Sequence, residues 1–131
     1  YLSEDSDPIV KLYDIKTAAA FSYMKKFSKK NTNPYESRYH YLQVATYGLA
    51  VKEKYGELAQ MGILYYNKDS SAMREVVVPD SYLLEAQRYW YAINEEHSKG
   101  LPGFRVGTSP VYKWVCGYCQ FKNHCNPPKA F

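Results

Sequence analysis

Apolar and polar positions change period several times along the chain, and each change marks an element. Ile9 to Thr17 (IVKLYDIKT) alternates with period two: Val10, Leu12, Asp14 and Lys16 share one face of a strand, while Ile9, Lys11, Tyr13, Ile15 and Thr17 share the other. Two charges therefore sit on a face whose other positions are apolar. Ala18 to Phe27 suits a short helix or an ordered loop, and Ser28 to Pro34 (SKKNTNP) gathers turn formers into a loop. From Tyr35 to about Tyr55 the spacing predicts a helix, with Tyr39, Leu42, Ala45 or Thr46, Leu49 and Lys52 or Glu53 marking one face and Gly56 stopping it. Ala59 to Tyr66 (AQMGILYY) predicts a buried strand, Asn67 to Ser71 a turn, and Met73 to Val78 (MREVVV) a second strand of a hairpin. Pro79 ends that strand. Asp80 or Ser81 then caps a helix running through Tyr82, Leu83, Ala86, Tyr89, Trp90 and Ile93 to about His97, and the Gly- and Pro-bearing stretch Lys99 to Phe104 breaks it.

The length, 131 residues, is that of one domain with a single hydrophobic core. Tyr1-Leu2 followed by the polar run Ser3 to Pro8 reads as the tail of one strand turning into the next, so the expectation is a fragment lacking an N-terminal part. A net charge of +4 permits a polyanionic partner without requiring one. The 15 tyrosines supply rings for core and interface, and a few for stacking on bases. No apolar run approaches the roughly 18 to 20 residues of a membrane span and no signal peptide is recognisable, so a soluble, cytoplasmic protein is expected.

Three constellations carry chemistry. Asp14 and Lys16 are neighbours at a strand end; a carboxylate is a hard ligand for a divalent metal, and an ammonium meets the charge of a phosphate. The plainer alternative is a surface ion pair. Gln43 and Tyr47, four apart, share one helix face, where an amide and a phenol can hold a phosphate oxygen, a water or the lysine, or can simply be a helix flank. Cys116, Cys119 and Cys125 form a C-x2-C-x5-C arrangement that fits metal ligation better than a disulfide framework. Zinc and iron–sulfur clusters both usually take four ligands, so the fourth is either His124, in a Cys3His zinc site, or a cysteine further upstream. A basic cluster, Lys25, Lys26, Lys29 and Lys30, either faces a phosphate backbone or is a solvated charge run.

In this order, a strand ending in Asp-x-Lys, a helix with Gln-x-x-x-Tyr, a hairpin and a terminal C-x2-C-x5-C, the chain from Ile9 to Cys125 resembles the RecB-like branch of the PD-(D/E)XK nuclease superfamily. That branch takes in iron–sulfur exonucleases of helicase–nuclease complexes, CRISPR adaptation nucleases and phage-encoded relatives. The resemblance implies an α/β, restriction-endonuclease-like core with a central mixed sheet flanked by helices, one nuclease-like domain over 1–131 with a cluster-binding tail at 111–131. It implies that Asp14 and the backbone carbonyl of Ile15 hold Mg2+ or Mn2+, that Lys16 is the catalytic lysine, and that Gln43 and Tyr47 contact the active site and DNA. Cys116, Cys119 and Cys125 would ligate a 4Fe–4S cluster, with Zn2+ as the alternative. The family's other metal-binding aspartate is expected before Tyr1, because Asp5 and Asp7 fall in the turn; an upstream histidine or glutamate and the first cysteine are expected there too. The implied function is a metal-dependent DNA exonuclease acting on single-stranded ends in recombination, repair or phage DNA processing. The alternative is a non-catalytic nucleic-acid-binding module of the same fold with a zinc or iron–sulfur site.

Overall fold

Six elements follow one another in a computed structural model that describes residues 9–30, 37–100 and 117–122. They are β1 (Lys11–Ala18), α1 (Ala20–Lys26), α2 (Arg38–Tyr55), β2 (Gln60–Asn67), β3 (Met73–Val78) and α3 (Ser81–Ser98). Each falls within a few residues of the span that its pattern predicts, and Ala18 to Phe27 takes the helical alternative. The sheet has the order β1-β2-β3, with β1 parallel to β2 and β2 antiparallel to β3. Antiparallel strands need only a turn, whereas parallel strands need a crossover of a dozen residues or more, and here α1 and α2 supply it. The result is an α/β arrangement with a mixed sheet, consistent with a restriction-endonuclease-like core.

By internal packing the chain falls into two units, Tyr1–Gln87 and Arg88–Phe131. The first contains the sheet, α1, α2 and the opening turns of α3. In the second, the rings of Tyr89 and Trp90 meet edge to face at 5.5 Å, and the Lys122 N–H donates to the Cys119 carbonyl (3.3 Å) in a turn. No helix among the described residues is long and apolar enough to cross a membrane.

Residues paired across strands share a face, so Met61, Ile63 and Tyr65 of β2 lie on the same side as Leu12, Asp14 and Lys16 of β1. That side is the buried one. Its core is Leu42, Val44 and Ala45 of α2, Met61, Ile63 and Tyr65 of β2, Val78 of β3 and Ala86 of α3; fully burying a large apolar side chain stabilises the fold by about 1.5–3 kcal/mol.

The helix face expected from the sequence needs correction. Tyr39 is exposed, and so are Lys52 and Glu53, while Leu42, Val44, Ala45 and Gly48 are buried. The reason is that α2 is covered by more than one neighbour. A Cβ added at Gly48 would lie 2.5 Å from the Met61 sulfur on β2 and 3.1 Å from a Leu83 methyl on α3, so the absent side chain is what lets both elements approach. At its end α2 stops on Gly56, whose φ of 81° is one that side-chain-bearing residues avoid.

The hairpin closes on Asn67, which is buried and whose Oδ1 accepts the N–H groups of Asp69 (3.0 Å) and Ser70 (3.4 Å). The turn in turn holds α1, because Asp69 Oδ2 accepts the Ala20 N–H at 2.6 Å. The opposite sheet face carries a second brace. A Cβ on Gly62 would lie 2.7 Å from the Tyr13 ring. Without one, the ring reaches from β1 over β2, and its hydroxyl donates to Glu75 Oε1 on β3 (2.8 Å). Gln60 Nε2 donates both to that hydroxyl (3.0 Å) and to Glu75 (2.9 Å).

Two outcomes test this packing. Gly48→Val should cost about 1–3 kcal/mol of stability through overpacking, read as a lower urea midpoint; an unchanged midpoint would contradict the close approach of α2. The hydrogen bond to Glu75, reinforced by desolvation and the Glu75 charge, raises the Tyr13 pKa above the ordinary 10.0. Because the fold favours the protonated phenol, this contribution is complete below the unfolded pKa and is lost as pH rises through the raised value. The Tyr13 absorbance titration, obtained as wild type minus Tyr13→Phe, should lie above that of free tyrosine and move back toward it in Glu75→Gln.

Candidate active site

Alternation along β1 places Asp14 and Lys16 on the face that α2 covers, and pairing with β2 sets them beside Ile63 and Tyr65 respectively. The Lys16 ammonium lies 2.9 Å from Asp14 Oδ2, with the two side chains 23% and 20% exposed. From α2, Gln43 Oε1 accepts a hydrogen bond from Lys16 Nζ at 2.5 Å, and Gln43 Nε2 donates to the Tyr47 hydroxyl at 2.9 Å. An ammonium can only donate, so it takes the amide oxygen and leaves the amide nitrogen for the phenol. Asp14, Lys16, Gln43 and Tyr47 thus form one continuous polar chain from strand to helix. Gln43 and Tyr47 are its solvent-exposed end.

The ammonium approaches Asp14 Oδ2 outside a hydrogen-bonding direction, and among the described residues that buried oxygen has no hydrogen-bond donor. Its bond to Lys16 is coulombic, and its lone pairs remain able to accept a cation. Ile15 adds a second oxygen. The carbonyls of Val10 and Ala18 accept the Ala59 and Lys68 N–H groups that flank β2. Carbonyls alternate sides along a strand, so that of Ile15 points away from β2. A carboxylate and a carbonyl are hard donors that suit Mg2+ or Mn2+. They fit such an ion in kind and would supply only part of its coordination, since no group of three His, Cys, Asp or Glu residues converges among the described residues. Asp5 and Asp7 lie outside the described residues.

Three residues that the sequence reading passed over support the chain. Tyr65, beside Lys16, is buried, and its hydroxyl lies 2.9 Å from His40 Nδ1. His40 precedes Gln43 by three positions, so this contact fixes α2 on β2 next to the amide that holds Lys16; the i, i+3 spacing was the available signal. Arg74 pairs with Tyr65 across β2 and β3, and its guanidinium lies 4.7 Å from the centre of the Phe27 ring.

Of the four lysines in the basic cluster, Lys25, Lys29 and Lys30 are exposed. Lys26 is half-buried: its ammonium donates to Ser37 Oγ (2.5 Å) and stands 4.6 Å from the centre of the Tyr65 ring. In the cysteine cluster, Cys119 is a half-buried free thiol, whereas Cys116, His124 and Cys125 lie outside the described residues.

Comparison with curated proteins and with solved structures gives no match. The family model of the PD-(D/E)XK nuclease superfamily, in contrast, matches residues 4–126. That span takes in β1 with its Asp14-x-Lys16, the crossover helix with Gln43 and Tyr47, and the hairpin, and on it the chain belongs to the PD-(D/E)XK nuclease superfamily.

Proposed function

We propose that this chain is a metal-dependent deoxyribonuclease of the RecB-like branch, an exonuclease that hydrolyses phosphodiester bonds at single-stranded DNA ends in recombination, repair or phage DNA processing. Membership of a superfamily whose members are generally nucleases gives the reaction class, hydrolysis of nucleic acid. The observation that carries the rest is the Lys16 ammonium, held between the Asp14 carboxylate and the Gln43 amide with part of its surface open to solvent.

In this reading Asp14 and the Ile15 carbonyl hold Mg2+ or Mn2+, which when bound lowers the pKa of water and polarises phosphoryl oxygens. Lys16 sets a fixed positive charge where negative charge builds up on the scissile phosphate, and it is oriented before substrate arrives, so little reorganisation is needed during reaction. Gln43 holds that ammonium from the helix side while Asp14 holds it from the strand. Tyr47, at the exposed end, presents a hydroxyl to the incoming strand, and Lys25, Lys29 and Lys30 add counter-charge for its backbone. The reading takes 1–131 as one nuclease-like domain whose tail, 111–131, binds a 4Fe–4S cluster through Cys116, Cys119 and Cys125. The half-buried thiol of Cys119 accords with a ligand position.

Lys16→Ala should lower magnesium-dependent degradation of DNA by roughly 10²-fold or more with the circular dichroism spectrum unchanged; full activity in that variant would remove Lys16 from the mechanism. Gln43→Ala should lower kcat more than it raises KM. Wild-type protein that binds DNA but cleaves none with either metal would turn the reading to a non-catalytic nucleic-acid-binding module. For the tail, anaerobically purified protein should be brown, with a broad visible absorption band lost on Cys119→Ser. Colourless protein that carries zinc would refute the cluster.

A further inference from the structure

The row of side chains that contains Lys16 continues across the sheet. Lys16 on β1 pairs with Tyr65 on β2, and Tyr65 pairs with Arg74 on β3, so all three lie on the α2 face, with Lys16 and Arg74 about two strand spacings, or ~10 Å, apart. Phe27 confirms the shared face independently, since its ring meets the Tyr65 ring at 5.4 Å and the Arg74 guanidinium at 4.7 Å. Among the described residues no carboxylate lies within ion-pair distance of Arg74; the two acidic side chains nearest in sequence are engaged elsewhere, Glu75 with Tyr13 and Gln60 on the opposite face, and Asp69 with the Ala20 N–H. A stacked guanidinium has lost much of its rotamer freedom, keeps its planar fork of donors, and remains exposed.

We propose that Arg74 is a phosphate-binding residue of the nuclease, seating a backbone phosphate of the bound strand next to the one presented to Lys16. The buried Tyr65 ring lies between the two cations in the strand row and packs against Phe27, and the half-buried Lys26 ammonium, 4.6 Å from the centre of the Tyr65 ring, adds to the field. This rests on the nuclease reading for the identity of the polyanion. It adds a contact that is independent of sequence, since it is made to phosphate and not to base edges.

The test measures binding of the whole chain to a single-stranded oligonucleotide over a range of salt, with EDTA present so that no cleavage occurs. Arg74→Gln should raise Kd about tenfold, equally for oligonucleotides of different sequence, and should reduce the salt slope by about 0.7, the loss of one contact. Arg74→Lys, which keeps the charge without the fork, should recover part of the affinity. Lys54→Gln is the control, because Lys54 also stands over a ring, that of Tyr55 at 5.1 Å, but at the far end of α2; it should bind as wild type. Wild-type binding by Arg74→Gln, or equal losses in Arg74→Gln and Lys54→Gln, would overturn the proposal. Cleavage by wild type together with either of those results leaves the nuclease reading standing without this contact. Dependence on Arg74 without any cleavage keeps the contact and removes the nuclease, and absence of both binding and cleavage removes both.

Discussion

A single ammonium group, that of Lys16, joins β1 to the helix that crosses over the sheet. With less than a quarter of its side chain exposed, it has given up much of its water, and only partners that stay in place offset that loss. The fold makes one partner local and the other remote. Asp14 is two positions away on the same strand face and can hardly miss. Gln43 is 27 positions away, and its placement depends on everything between β1 and α2.

Most of the remaining architecture keeps that remote partner in reach. Along α2, Leu42, Val44, Ala45 and Gly48 are buried and let the helix close on β2, while the interspersed His40 and Gln43 reach the Tyr65 hydroxyl and the Lys16 ammonium. On the other side of the sheet, Tyr13 lies over Gly62 and bonds to Glu75, tying all three strands in one register. The distance from that brace to the site does not make it irrelevant. Side chains alternate with period two, so a slip of β1 by one residue would carry Asp14 and Lys16 to the opposite face and away from Gln43.

The sequence makes some of this legible for local reasons. Alternation from Val10 to Lys16 puts Asp14 beside Lys16 whatever the rest of the chain does, and Pro79 fixes the end of β3 because it cannot donate to a ladder. That Gln43 reaches Lys16 is not local: it requires the parallel pairing of β1 with β2, which no periodicity encodes, and the residue types alone leave the lysine as one of several partners for the amide. The spacing puts Tyr39 and Lys52 on the buried face of α2 whereas both are exposed, because a helix packed by both a sheet and another helix loses a clean apolar stripe, and because Gly48, a poor helix former, marks the closest approach. Lys26 looked like its neighbours in a charge run. Only the position of the Tyr65 ring and the Ser37 hydroxyl turns it inward.

Electrostatics follow the same geometry, which is why a net charge of +4 is a poor guide to where this chain would meet a polyanion. Arg74 and Glu75 are adjacent and opposite in sign, and a sequence window centred on them is neutral. On a strand, adjacent residues point to opposite faces, so the pair separates: Glu75 goes to the open face, where Tyr13 and Gln60 bind it, and Arg74 goes to the face of Lys16 and Lys26. Asp69, next along the hairpin, has its carboxylate turned to the start of α1. Period-two geometry thus turns a locally balanced sequence into one face that gathers cations beside the candidate catalytic pair, and the sign a phosphate backbone would meet is set by the strand.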